Sequence, residues 1–79
     1  MTAIICQAIS DARDTFVMEH NVVPNVLLIT QRTKKLMQAE LANPDNREYF
    51  SLKFTRLITV ADGELHGEFA FVRASSHYI

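Results

Sequence analysis

Glu64, His66 and Glu68 form the spacing in this sequence that comes closest to a chemical site. On an extended strand, residues two apart project from one face, so an imidazole and two carboxylates could together hold a divalent ion or exchange a proton. Neither a cysteine nor a second histidine joins them at ligand spacing. Polar alternation is also the ordinary pattern of a half-exposed antiparallel strand, so the triplet ranks third among the readings and no cofactor or metal is expected.

The other reactive side chains have plainer roles. Cys6 is the single cysteine and lies among Ile4, Ile5 and Ile9, which excludes an internal disulfide or a C-x-x-C pair and points to packing. His20 falls at the end of a helical pattern, where its positive form complements the helix dipole; His77 belongs to the short tail Ser75-Ser76-His77-Tyr78-Ile79. Ser10, Ser51, Ser75 and Ser76 have no nucleophile-elbow context, and no glycine-rich phosphate loop is present. The expectation is a protein that is not an enzyme.

Nucleic-acid binding is the second reading. Arg32, Lys34 and Lys35 open the second helical segment, and Lys53, Arg56 and Arg73 lie on or beside the strands. Against it, eight basic and nine acidic residues give a net charge of −1 and no general footprint for phosphates. The phenylalanines alternate onto the expected core face, unlike the outward-facing aromatics of an RNA-binding sheet.

The elements that must position these residues follow from hydrophobic period and punctuation. Ile5, Ile9, Ala12 and Phe16, with Ala8 beside them, predict an amphipathic helix over 3–20, capped by Thr2, closed by a left-handed Asn21 and stopped by Pro24. Val26-Leu27-Leu28-Ile29 reads as a short strand, apolar on both faces. Thr30 then caps a second helix over about 31–42, with Leu36, Met37 and Leu41 as its stripe, Thr33 at the edge and Asn43-Pro44-Asp45-Asn46 ending it.

From Tyr49 the period changes to two, and Asp62-Gly63 suits a two-residue turn, which predicts a long hairpin. The register pairs Val60 with Leu65, Ile58 with Gly67, Arg56 with Phe69 and Phe54 with Phe71. One face then carries Phe50, Leu52, Phe54, Ile58, Val60, Leu65, Phe69 and Phe71, and the other carries Lys53, Thr55, Thr59, His66 and Glu68. The order is helix, strand, helix, strand, strand. It predicts an α+β two-layer sandwich, with two helices on one face of a small mixed sheet and the first strand at an edge, parallel to the first hairpin strand.

Composition bounds the rest. A chain of 79 residues, 48% hydrophobic and 22% charged, has room for one domain and one modest core. No apolar run exceeds four residues, which excludes a membrane-spanning helix, and the first residues lack a basic signal-peptide region, so a cytoplasmic protein is expected.

After the faces are assigned, an apolar surplus remains in the first strand. Leu27 and Ile29, with Leu57 and Val72 from the polar side of the hairpin, are expected to form an association surface rimmed by Arg56, His66 and Glu68. Tyr78 and Ile79 folding back would be the alternative cover. The leading functional expectation is a protein-interaction module, most simply a homodimer, of a size that suits an accessory or inhibitor protein, including one encoded by a phage or mobile element.

Overall fold

The computed structural model describes residues 4–47, 50, 52 and 55–74. Its elements are helix α1 (Ile4–His20), strand β1 (Val26–Thr30), helix α2 (Gln31–Leu41), the single turn α3 (Pro44–Arg47), and strands β2 (Arg56–Val60) and β3 (Phe69–Val72). The class is α+β, with both long helices packed on one face of a three-stranded mixed sheet.

Local signals set the helix limits. Asn21 takes a left-handed φ of 56° at the end of α1 and its amide bonds the Val17 carbonyl at 2.9 Å, while Pro24 is buried beyond it. Thr30 caps α2, its hydroxyl accepting from the Thr33 amide and donating to the Thr33 hydroxyl at 2.8 Å. Pro44 opens α3, where its missing amide proton costs no helix bond.

Strand β1 is central. The order is β2-β1-β3, with β1 parallel to β2 and antiparallel to β3. This corrects the expected hairpin, since β2 and β3 do not pair with each other and β1 is not an edge. Asp62 and Gly63 do form a turn, with Gly63 at φ 91° and the Glu64 amide on the Ala61 carbonyl at 3.1 Å. The connection 61–68 then passes the end of β1 and returns on its far side. The physical reason lies in β1 itself, because a strand apolar on both faces belongs between two neighbours, where neither edge nor face is left to water. Asn25 secures its entry. The Asn25 carbonyl accepts from the Arg56 amide at 2.8 Å, its amide donates to Val72, and its side chain pairs reciprocally with the Ala74 backbone at 2.8 and 3.0 Å.

The register fixes the faces. Leu27 lies between Leu57 and Phe71, and Ile29 between Thr59 and Phe69, so these residues share the helix-covered face. Cys6, Ile9, Leu27, Ile29, Met37 and Phe71 make the core, with Ile5, Ala12, Phe16, Leu41, Phe50, Leu52, Leu57 and Phe69 packed against it. Two stripe assignments change, as Ala8 is exposed and Leu36 is 46% exposed, while Cys6 and Thr33 are buried.

The even-numbered run from Phe50 does not continue through Ile58. The Thr55 amide bonds the Leu52 carbonyl at 2.9 Å, and Leu57 rather than Ile58 joins Phe50 and Leu52 against the core. Ile58 and Val60 therefore face away from Phe69 and Phe71, contrary to the hairpin expectation.

Candidate functional site

Three places combine side chains in ways that packing alone does not require. The first is the sheet face turned away from the helices. By register it holds Val26 and Leu28 on β1, Arg56, Ile58 and Val60 on β2, and Ala70 and Val72 on β3. Ile58 is 38% and Val72 36% exposed, Leu28, Val60 and Ala70 are half-buried, and Arg56 is exposed at one end. Leu28 sits between Ile58 and Ala70, so the apolar side chains are adjacent across three strands. Among the described residues no helix packs there, and the core cluster lies on the other face.

The expected association residues divide between the two faces. Leu27 and Ile29 are fully buried and Leu57 is half-buried against the core, so these three cannot meet a partner from the helix-covered side. Val72 and Arg56 do lie on the open face. His66 and Glu68 are exposed in the connection 61–68 at the far end of the sheet. The residues missed are Leu28, Ile58, Val60 and Ala70, which become legible once β1 is placed centrally, while Val26 at the end of the same row is buried.

The second place is the junction of α1 and α2. The Glu40 carboxylate accepts from the Ile5 amide at 2.7 Å and the Cys6 amide at 2.9 Å, capping α1 from another helix. Burial would raise the Glu40 carboxyl, but the Cys6 and Ile5 amides and the Cys6 thiol outweigh it and hold the group below its ordinary value. The same arrangement acts in reverse on Cys6, whose thiol is pushed up to about 11 by burial first and then by its hydrogen bond to Glu40 and the negative charge there. A thiol so protonated and fully buried is inert. Sequence reasoning placed Cys6 in the packing and missed Glu40, whose position three residues after Met37 places it near the inward stripe without showing what it meets.

The third place is a pocket of about 140 Å³ at the start of α2, lined by Thr30, Arg32, Thr33, Asp62, Gly63, Gly67 and Glu68. One donor there is engaged, the Arg32 backbone amide bonding the Asp62 carboxylate at 3.0 Å. Arg32 and Lys35 are exposed and Lys34 half-buried, so the basic residues of the nucleic-acid reading start beside two carboxylates, Asp62 and Glu68, rather than within a basic patch.

Glu64, His66 and Glu68 lie in the connection between β2 and β3, not on a strand, so the spacing of two no longer aligns them on one face. Among the described residues no three His, Cys, Asp or Glu side chains are grouped to hold a metal ion. His20 is exposed and its ring lies tilted at 42° against Phe16, with centroids 4.4 Å apart. Thr2, Lys53, Phe54, Ser51, Ser75, Ser76, His77, Tyr78 and Ile79 lie outside the described residues. No helix among the described residues is long and apolar enough to cross a membrane. No family model, curated protein or solved structure matches the chain.

Proposed function

We propose that this chain is a non-enzymatic, cytoplasmic protein-interaction module, an accessory or inhibitor protein that associates with itself through its open sheet face and acts by covering a surface of another macromolecule. The observation that supports this reading most is the band Leu28, Ile58, Val60, Ala70 and Val72, apolar across all three strands on the side without helices. Adjacent exposed apolar side chains on a small domain mark an association surface, because their burial against a partner recovers about 25 cal/mol for each Å² removed from water. The two outer strands add a second opportunity, since β2 and β3 each have one edge unpaired within the described sheet.

No comparable observation favours nucleic acid. Arg32 at the start of α2 lines one pocket with Asp62 and Glu68, and its backbone amide bonds the Asp62 carboxylate. Charge-driven binding needs uncompensated positive charge.

Sedimentation equilibrium tests the reading. The native chain is expected at twice its 9.0 kDa mass at tens of micromolar. Ile58→Glu and Val72→Glu, which alter exposed positions, are expected to raise the dimer Kd by roughly 30-fold or more while leaving the far-ultraviolet spectrum unchanged. A native mass of one chain, or a dimer indifferent to both substitutions, overturns it.

A further inference from the structure

The charges at the two ends of the open face are opposite, and this specifies how a second copy would lie on it. At one end, the exposed Arg56 begins β2 in the row with Val26 and Val72; Arg73, one residue beyond Val72, alternates to the other side, and its guanidinium donates to the Val23 carbonyl at 3.2 Å. The other end, four residues or about 13 Å along β1, is bounded by the connection that carries the exposed Glu64 and Glu68, with Asp62 bonded to the Arg32 amide and Arg32 lining the same pocket. The Glu68 carbonyl accepts from the Thr30 amide at 3.1 Å, which fixes that residue at the end of the face. Among the described residues, the Arg56 guanidinium and the Glu64 and Glu68 carboxylates make no ion pair or side-chain hydrogen bond.

A two-fold interface applies one patch to itself, so the patch must be self-complementary. Among the face-to-face arrangements with two-fold symmetry, two align the strands of both sheets. With the axis along the strands, the basic end would meet the partner's basic end and the acidic end its acidic end. With the axis perpendicular to the strands, in the plane between the two sheets, strand directions oppose and each basic end lies over an acidic end. Like charges brought together across an interface oppose association, and opposite charges also steer the encounter.

We propose, resting on the self-association put forward above, that two copies stack through this face with strands antiparallel, Arg56 of each protomer lying over Glu64 and Glu68 of the other. The apolar band supplies the attraction and the end charges choose the orientation.

The experiment is a charge exchange read by dimer Kd. Arg56→Glu alone, and Glu64→Lys with Glu68→Lys, are each expected to weaken the dimer roughly tenfold in low salt, and the three substitutions together to restore it to near the native value. Asp62 is left in place because it holds the start of α2. Lys35→Glu changes net charge as Arg56→Glu does but sits on the exposed side of α2, and is expected to leave Kd unchanged. In about 1 M salt, where the screening length falls to about 3 Å, the differences should shrink while the dimer persists.

A native monomer would end the self-association reading itself. A native dimer in which Arg56→Glu behaves like Lys35→Glu, in which Arg56→Glu tightens association, or in which the combined variant stays weak, would overturn the antiparallel arrangement and leave self-association standing.

Discussion

Glu40 shows how one side chain can join two helices. The first amides of a helix have no partner within it, and a carboxylate presented to them gains from both hydrogen bonding and the helix dipole. Here the carboxylate comes from α2 and the amides are those of Ile5 and Cys6 on α1. Because the Glu40 carboxyl is held below its ordinary value of 4.5, its contribution is present above that pH and is lost as pH falls through the lowered value. Glu40→Ala is expected to cost about 1 kcal/mol at pH 7, a fall of roughly 4–8 °C in Tm, with the difference from the native chain narrowing in acid. Thermal melts of both proteins from pH 7 to pH 3 would show it, and a constant difference would refute it. The burial of Cys6 was legible from its apolar neighbours. Its bond with Glu40 was not, since nothing in the period of either helix tells which residue of one meets the end of the other.

At the scale of elements, the helices were legible because their signals are local. Asn21, Pro24, Thr30 and Pro44 each act within a few residues of themselves, and the structure places each where its conformational preference indicates. Thr30 is the most consequential of them, ending β1 and starting α2 in one step while remaining buried. Thr30→Ala removes the acceptor for the Thr33 amide and strands a buried Thr33 hydroxyl, and is expected to cost about 1–2 kcal/mol in urea unfolding, with Thr30→Ser losing less than half of that. Equal losses in the two variants would assign the effect to packing of the methyl group instead.

Strand pairing was only half legible. The parallel relation of β1 to β2 follows from the helix between them, and it is what the structure contains. The pairing of β2 with β3 rested on a turn that exists but joins strands with β1 between them. Asp62-Gly63 specifies a local reversal of direction, and only the two-sided apolar character of Val26–Ile29 specifies what lies between the returning strands.

For the whole molecule, that rearrangement moves the candidate surface without abolishing it. Moving β1 from edge to centre buries Leu27 and Ile29 against the helices and gives the open face to Leu28, Ile58 and Val72. The apolar surplus was visible in composition and face counting, but its location depended on a register no short-range pattern encodes. A domain of this size buries only about 60% of its unfolded surface, so an apolar sheet face left partly exposed is a substantial share of what it has to cover. The most direct measurement is isotope-filtered NMR on a mixture of labelled and unlabelled chains, which detects only contacts between copies. Contacts from the methyl groups of Leu28, Ile58 and Val72 to the other chain are predicted; their absence, or contacts confined to the Ile4 and Leu36 side of the helices, would contradict association through the open face.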